Sequence, residues 1–377
     1  MAENKEKKVL NVPNLRFPEF EGEWEKCKLG DACNVFMCKR ILATQTNTEG
    51  GVPFYKIRTI GGTPDAYISK ELFDDYKTKY NYPHKGEVMI TCAGTVGKCV
   101  IYDGKDAYYQ DSNIVWIDNP SQYIGNGFLY HLLANVDWRK LNSTTIIRIY
   151  NDDLRNLKLS YPQIEEQKKI SRLLSLLDER ISTQNKIIED LKKLKSAISD
   201  RLFKNIKGDV ITLSEICDIV KGKQINGEYL TESGEYYVMN GGTEPSGYYG
   251  DYNVDANTIS ISEGGNSCGY VQFNTSPFWS GGHCYSIQNI ADNIDNLYLY
   301  HYLKSKEDAI MKLRIGSGLP NIQKKDLAMF KIEIPTIKQQ KTISTFLSSL
   351  ERKAEIEEKI QNAMLKKKQF LLRQMFI

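Results

Sequence analysis

The chain has 377 residues, 41% of them hydrophobic and 11% aromatic, which is enough to bury the cores of two ordinary domains and excludes a disordered chain. Fifty Lys and Arg residues against 47 Asp and Glu leave a net charge of only +3, so bulk charge neither favours nor excludes nucleic acid as a partner. No segment reaches the roughly 18 to 20 consecutive apolar residues that cross a bilayer, and the charged start is not followed by an apolar core. We therefore expect a cytoplasmic protein without a membrane partner.

The eight cysteines predict neither disulfides nor a metal site. They form no Cys-x-x-Cys pair, and the four histidines of the chain add no recognisable metal-ligand spacing. We interpret them as reduced thiols that act as small core residues.

In chain order, an N-terminal segment (1–24) precedes a first domain at 25–160. Short apolar runs bounded by Gly, Asn and Asp predict strands, and a longer apolar run after them predicts a helix. The predicted strands are 52–57, 87–92, 99–102 and 114–117, and the predicted helix is 128–141. A charged stretch at 70–79 has the composition of a helix or a loop. The domain is therefore a mixed α and β fold, although the sequence leaves its strand order open.

A first helical spacer is predicted at 161–205. Residues 163–204 contain no Gly or Pro, and their apolar residues recur in alternating steps of four and three, which is the seam of a coiled coil. At 1.5 Å per residue the helix would be roughly 60 Å long, too long to be covered by one small domain. Polar residues, Gln184 and Lys195, interrupt the seam. The seam and partner-binding residues predicted here are Gln167, Ile170, Leu174, Leu177, Ile181, Ile188, Leu191 and Ile198.

A second domain at 206–333 and a second spacer at 334–377 repeat this order. The strands are predicted at 236–239, 258–262, 270–273 and 284–287, and a helical pattern at 295–313 follows them. The second long helix, 336–376, repeats the seam, and its polar interruptions are Glu357 and Lys368. Its predicted seam and partner-binding residues are Gln340, Ile343, Leu347, Leu350, Met364 and Leu371.

These two halves are copies of one unit. Pro162 and Gln167 match Pro335 and Gln340 at a constant offset of 173 residues, and Leu202 matches Met375 at the same offset. Upstream matches drift by several residues, so the ends of the units are alike while their middles have diverged. We predict an α+β chain of two pseudo-two-fold related mixed α/β domains, joined by two long antiparallel coiled-coil helices.

The opening of each helix resembles a known family. Pro162, Gln167, Ile170, Leu174 and Asp178 follow a pattern of the form Pro-x4-Gln-x2-Ile-x3-Leu-x3-Asp, and the second copy follows it again with Glu351 in place of the aspartate. This duplicated pattern is similar to that of the specificity (S) subunits of type I restriction-modification systems. The strand and loop at 86–98 also look like a segment of that family, from which the second copy departs at 262–269 by a changed glycine spacing.

The resemblance implies a fold, an activity and partners. The two domains would be target recognition domains, each reading one half of a bipartite target in double-stranded DNA, and the helices would fix the gap between the halves. The chain would be non-catalytic and hold no cofactor. Two methyltransferase (M) subunits, and optionally restriction (R) subunits, would supply the chemistry, with S-adenosylmethionine, ATP and Mg expected on those partners.

Direct readout of bases needs Arg, Lys, Asn or Gln at a groove, whereas phosphate contacts need only positive charge or amides. Candidates therefore sit in loops. Lys56 and Arg58 follow a strand in the position where the second copy has the run Asn240-Gly241-Gly242-Thr243, and Lys39 and Arg40 correspond to Lys221 and Lys223. The full set of DNA-binding candidates is Lys39, Arg40, Lys56, Arg58, Lys98, Arg139, Arg148, Lys221, Lys223, Asn240, Thr243, Lys312 and Arg314.

Two other functions remain open from the sequence. Pro64-Asp65 followed by Asp75-Tyr76-Lys77 superficially fits the Pro-Asp…Asp-x-Lys pattern of a Mg-dependent endonuclease, in which two carboxylates hold the metal. That pattern needs its second part on a strand beside the first, and the second copy lacks it. A coiled-coil scaffold joining two protein-binding domains is the third possibility, and it predicts no affinity for DNA.

Overall fold

A computed structural model of the chain describes residues 10–111, 113–140, 148–316 and 320–377, and divides it into two compact units. The first unit comprises residues 1–183 and 361–377, and the second comprises 184–360. Each long helix therefore gives one part of its length to each unit. The start of the predicted N-terminal segment and the last residue of the predicted helix 128–141 lie outside the described residues.

The first unit contains short strands followed by helices. Its strands are β1 Glu25–Lys28, β2 Asn34–Phe36, β3 Val52–Tyr55, β4 Tyr67–Ile68, β5 Val88–Thr91, β6 Cys99–Ile101, β7 Tyr108–Tyr109, β8 Ile114–Asp118 and β9 Lys158–Tyr161. Its helices are α1 Leu29–Ala32, α2 Lys70–Lys79, α3 Asn126–Asn135, α4 Asn151–Arg155 and the first part of α5 Ile164–Asn205.

The second unit repeats this sequence of elements. Its strands are β10 Asp209–Thr212, β11 Asp218–Lys221, β12 Tyr236–Met239, β13 Tyr248–Tyr249, β14 Thr258–Ser262, β15 Val271–Asn274, β16 Trp279–Ser280, β17 Cys284–Gln288 and β18 Lys331–Ile334. Its helices are α6 Leu213–Ile216, α7 Asn296–Ser305, α8 Glu307–Met311, α9 Lys324–Ala328 and the larger part of α10 Ile337–Met375.

The strand order, which the sequence left open, is the same in both units. An antiparallel four-stranded sheet has the order β2-β8-β5-β6 in the first unit and β11-β17-β14-β15 in the second. Beside it lies a three-stranded sheet, β4-β3-β7 or β13-β12-β16, in which one pair is parallel. A two-stranded ladder, β1-β9 or β10-β18, precedes each long helix. This common topology confirms the internal repeat.

The predicted elements are largely confirmed, with local differences. The strands at 236–239 and 258–262 have the predicted bounds, and the charged stretch at 70–79 is helix α2, which begins at the N-cap Ser69. The helix predicted to start at 128 begins at Asn126 and ends at Asn135, because Val136 adopts an extended conformation and a 3₁₀ turn follows. The single helical pattern at 295–313 is two helices, α7 and α8.

Within each unit the two long helices run antiparallel, and the polar interruptions of the seam bind polar side chains of the opposite helix. In the second unit Lys195 binds Glu351 at 2.6 Å, while the Gln184 amide donates to the Glu357 carboxylate at 2.5 Å. In the first unit Lys368 binds Asp178 at 2.5 Å. A misaligned seam would bury these groups without partners, so they favour this one register.

Most predicted seam residues are buried between the helices and the domain cores. Ile170, Leu174 and Leu371 belong to the core of the first unit, and Leu347 belongs to that of the second. Gln167 and Gln340 have a different role from the one predicted. Each is about 1% exposed and ties its helix to a loop: Gln167 accepts from the Gly125 amide at 2.7 Å, and Gln340 accepts from the Asp295 amide at 2.8 Å.

The eight cysteines are free thiols, and six of them are buried, as predicted for core residues. Burial raises the pKa of the Cys92 thiol to about 12, and that of Cys38 likewise, so these groups stay protonated and unreactive near neutral pH. In the parts of the chain that the structure describes, no helix combines the length and the apolar character that crossing a membrane requires.

Candidate nucleic-acid interface

In the first unit, five loops meet at one end of the four-stranded sheet. They follow β2, β3 and β5, precede β8, and precede α4. The Cys92 amide donates to the Asn113 carbonyl, and the Ile149 amide donates to the Cys92 carbonyl, both at 2.8 Å. The Gln110 amide donates to the Tyr55 carbonyl at 2.9 Å. These backbone bonds hold four of the loops together, and the ion pair of Arg40 with Asp111 joins the loop after β2 to them. The side chains of these loops share one surface, here called the first loop cluster.

Basic side chains line the first loop cluster. Arg58 is exposed, Lys56 is half-exposed and bound to Asp65 at 3.1 Å, and Arg40 lies 3.5 Å from Asp111. The Lys98 ammonium donates to the Ile60 carbonyl, which joins the loop after β5 to the loop after β3. Exposed ion pairs of this kind contribute little stability, so the lysine and arginine heads remain available to an anionic ligand.

The turn at 94–97 is a strand connection whose glycines are required by geometry. Gly97 has φ +82°, and a Cβ there would lie 2.2 Å from the Trp138 indole ring. This close approach brings the 3₁₀ turn Trp138–Lys140 beside the loop cluster, with Arg139 exposed on it. Arg148 lies over the Tyr150 ring at 5.8 Å, next to the loop that contacts Cys92. Lys39 instead lies against Tyr80, which follows α2, at 5.3 Å.

The second unit has a matching second loop cluster. The Lys223 amide donates to the Ser280 carbonyl at 2.8 Å, and the Glu263 amide donates to the His283 carbonyl at 2.9 Å. The Asn240 side chain accepts from the His283 amide at 3.1 Å, so part of its hydrogen-bonding capacity is used inside the unit. The structure thus brings Lys221, Lys223 and Asn240 together, with Thr243 exposed beside them.

Two further candidates of the second unit lie at its edge. Arg314 is exposed and close enough to the Cys268 thiol to lower its pKa electrostatically, although burial raises that pKa overall. The Gly269 backbone packs against Met311, which places Lys312, the residue that ends α8, on the same side of the unit.

The strand registers correct one sequence alignment. Val35 pairs with Ile117, and Ile219 pairs with Ile287, while Ile117 and Ile287 occupy equivalent positions opposite β5 and β14. Counting on from these pairs, Lys39 corresponds to Lys223, not to Lys221. The sequence alone did not show this difference of two residues, because the segments around these lysines differ in length between the two units.

Two residues of the second loop cluster, His283 and Glu263, were not among the predicted candidates. His283 is exposed in the second loop cluster, and Glu263 is buried beneath it with Lys221 bound at 2.7 Å. His283 could have been chosen from the sequence, because it follows Gly281-Gly282 directly before a predicted strand. In the structure its backbone amide donates to the Asn240 side chain. Glu263 gave no signal, because its contact with Lys221 spans 42 residues of sequence.

The nuclease pattern is not assembled in the structure. Asp65 binds Lys56, whereas Asp75 lies on helix α2 and binds Lys79 at 2.5 Å. Asp75 and Lys77 are two residues apart on a helix, so their side chains point to different sides. Among the described residues, no group of three or more His, Cys, Asp and Glu side chains is arranged to hold a metal ion.

Apolar side chains remain exposed on the long helices, away from the seam. In the first unit these include Leu176 and Phe370, and in the second unit Leu194, Phe346 and Ile356, each between 46% and 58% exposed. The predicted seam residues Leu177, Leu191, Ile198, Ile343, Leu350 and Met364 are half-buried, and Ile181 and Ile188 are buried. Exposed large apolar groups on a helix indicate a surface that another helix can cover.

Comparison with known proteins identifies similar chains. A family model described as type I restriction modification DNA specificity domain matches residues 21–193 and again residues 205–366. A putative type I restriction enzyme specificity subunit of Haemophilus influenzae is 46% identical over 184 residues, which are 49% of this chain and 45% of that protein. The putative MjaX specificity subunit of Methanocaldococcus jannaschii is 23% identical over 411 aligned positions, covering 97% of this chain and 95% of that protein.

Solved structures share the fold. The crystal structure of a type I restriction-modification S subunit from M. genitalium superposes with a TM-score of 0.71 at 20% identity, covering 97% of this chain and 99% of that one. A second structure, from work on complex assembly and conformational transition of the type I system, has a TM-score of 0.54 at 17% identity and covers 93% of this chain.

Proposed function

The chain belongs to the type I restriction-modification DNA specificity family, and we propose that it reads a bipartite DNA target, each loop cluster contacting one half-site. It is a specificity component and not a catalytic one. The long helices then set the distance between the half-sites and present a surface to methyltransferase and restriction subunits.

The observation that carries this proposal is the pair of loop clusters. They lie at the same end of the same sheet in two units with one topology, yet they carry different side chains. Lys56 and Arg58 in the first occupy the positions of Asn240 and Gly242 in the second. Two domains that recognise different DNA sequences need the same scaffold with different side chains in the loops that contact the bases. The two half-sites should therefore differ.

The chemistry of each cluster suits the two kinds of DNA contact. Arg58 and Lys98 in the first and Lys223 in the second supply positive charge for phosphates, while Asn240 and His283 in the second supply side chains that can hydrogen-bond to base edges. With a net charge of +3, we expect the chain alone to bind DNA weakly and with strong salt dependence.

The test of the modular proposal is the variant Lys56→Ala/Arg58→Ala, compared with Lys26→Ala/Lys158→Ala. The control removes the same positive charge from exposed positions on β1 and β9. We expect the first variant to weaken or relax one half of the methylated motif and to leave the other half intact, whereas the control keeps both. Equal loss of both half-sites by the first variant would contradict the proposal.

Partner binding is tested at the exposed apolar side chains, because the buried seam residues cannot be changed without affecting folding. Leu174 is fully buried in the first core, whereas Leu194 is 49% exposed on α5. We expect Leu194→Glu to abolish co-purification with the methyltransferase subunit. Ser196→Glu adds the same charge about 200° away around the helix and should leave the complex intact. Loss of the complex in both variants, or in neither, would contradict a partner surface at Leu194.

The cofactors belong to the partners in this proposal. S-adenosylmethionine would be bound by the methyltransferase subunits, and ATP and Mg by the restriction subunits. Isothermal titration of the isolated chain with S-adenosylmethionine should give no binding heat, and the assembled complex should give one. The scaffold alternative predicts a complex without any DNA affinity, which the same preparation can measure.

A further inference from the structure

The second unit contains a buried polar trio under its loop cluster. Lys221 at the end of β11, Tyr285 on β17 and Glu263 directly after β14 lie side by side on one face of the sheet. One Glu263 carboxylate oxygen accepts from the Lys221 ammonium at 2.7 Å and from the Tyr285 hydroxyl at 3.0 Å. Its other oxygen is buried and has no hydrogen-bond partner among the described residues.

The first unit has apolar side chains at the same three positions. Tyr285 stands opposite Ile261, and Val115 stands opposite the equivalent Ile90. Two residues after Ile261 and Ile90, respectively, Glu263 therefore matches Cys92. If the pairing of β2 with β8 is continued by one residue, Met37 stands opposite Val115, as Lys221 stands opposite Tyr285. Because Met37, Val115 and Cys92 complete the first sheet, the fold itself does not require the polar trio.

Burying a carboxylate costs free energy that one lysine and one hydroxyl do not fully return, above all with one oxygen unpaired. The Glu263 side chain is 5% exposed, whereas the Lys221 side chain is 53% exposed. Burial raises the pKa of the Tyr285 hydroxyl, and its bond to Glu263 raises it further, so the hydroxyl remains a donor to the carboxylate. The trio thus has a buried acceptor end and an exposed cationic end.

We propose that Glu263 is a positioning residue that holds the Lys221 ammonium as an oriented donor for a base edge in the second half-site. This inference rests on the proposed function and deepens it. A lysine held by a buried carboxylate, unlike one in an exposed ion pair, has little net charge with which to attract phosphates, but it keeps two free N–H donors in a fixed place. Two such donors suit the O6 and N7 acceptors of a guanine in the major groove.

Lys223 provides the contrast within the same cluster. No carboxylate lies within ion-pair distance of its ammonium in the described parts of the chain, and its side chain is exposed. An exposed charge without a carboxylate partner can contact phosphates without regard to sequence. The two lysines, two residues apart, thus have different tasks: Lys221 discriminates and Lys223 attracts.

The test is Glu263→Gln, with Glu232→Gln as a control that removes the same charge from an exposed position four residues before β12. In cells that carry the methyltransferase partner, methylated adenines are mapped for each variant. We expect Glu263→Gln to lower the preference for guanine at one position of one half-site, by roughly tenfold, and to leave the other half-site unchanged. The salt dependence of DNA binding by the purified complex should become steeper, because the freed ammonium can bind a phosphate.

The outcomes separate the possibilities. If Glu263→Gln merely lowers thermal stability, or weakens methylation without changing the motif, the trio is structural and the inference is wrong. Lys221→Met copies the first unit at an exposed position, so it should fold and show the same loss of guanine preference; an unchanged motif would also overturn the inference. If the wild-type chain specifies no two-part motif at all, the proposed function itself fails.

Discussion

Arg16 should contribute far more to stability than other charged residues of the N-terminal segment. Its guanidinium forms a bidentate ion pair with Glu166, in which Nε lies 2.8 Å from Oε1 and Nη2 lies 2.7 Å from Oε2. The guanidinium also donates to the Gly22 and Glu21 carbonyls. The Glu166 side chain is 0% exposed and that of Arg16 is 16% exposed. The segment that leads into β1 is thus fastened to the start of α5.

Replacing Arg16 by Met would leave a buried carboxylate without its charged partner. Such a loss costs about 3–5 kcal/mol, a large share of the roughly 5–15 kcal/mol that stabilises an ordinary domain. Adding Glu166→Gln removes the stranded charge, so the double variant should recover part of the loss. The matched control is Lys169→Met, which breaks the exposed pair with Glu19 and should cost less than about 1 kcal/mol.

Urea unfolding followed by tryptophan fluorescence measures these differences. Of the four tryptophans, Trp24, Trp116 and Trp138 lie in the first unit, so the signal reports mainly on the unit that contains the ion pair. Two results would contradict a buried ion pair at this position. One is that Arg16→Met lowers the free energy of unfolding no more than Lys169→Met does. The other is that the double variant Arg16→Met/Glu166→Gln is less stable than Arg16→Met alone.

Three further predictions concern stability and are checked by unfolding the purified chain. Burial lowers the pKa of His131 and of His301 to about 4. Below about pH 6.5 the unfolded chain binds a proton at each histidine and the folded chain does not, so the free energy of unfolding should fall by about 2 kcal/mol per histidine between pH 7 and pH 5. His131→Gln should make this pH dependence weaker. Leu174→Ala should cost about 2–5 kcal/mol, whereas Leu176→Ala, at 47% exposure, should cost well under 1 kcal/mol; equal costs would contradict the assigned helix faces. Gly97→Ala should cost roughly 3 kcal/mol through its positive φ and the overlap of the new methyl group with an indole ring, and a stable variant would contradict that turn geometry.

The sequence revealed the long helices and the repeat because both are local or periodic signals. The absence of Gly and Pro, the steps of four and three, and the offset of 173 between Gln167 and Gln340 needed no three-dimensional knowledge. The polar interruptions were visible too, but their partners were not. Lys195 reaches Glu351 across 156 residues, a contact that only the antiparallel packing creates.

The candidate site was predicted less completely. Basic loop residues such as Arg58 and Lys98 could be chosen by type and position, and the structure places them on one surface. The tasks of individual residues depend on non-local contacts, as with Lys221 and Glu263, or on the strand register, which shifted the counterpart of Lys39 by two residues. Gln167 was predicted among the seam residues through the repeated Pro-x4-Gln pattern, whereas its side-chain amide binds a loop.

The most direct test of modular recognition is a map of methylated adenines in the source cell, with the gene present, deleted, and carrying residues 25–160 from a family member of different specificity. We predict a gapped, two-part motif that vanishes on deletion and changes in one half only when the domain is exchanged. A map that deletion does not alter in a cell with an active methyltransferase partner, or an exchange that changes both halves, would contradict the account.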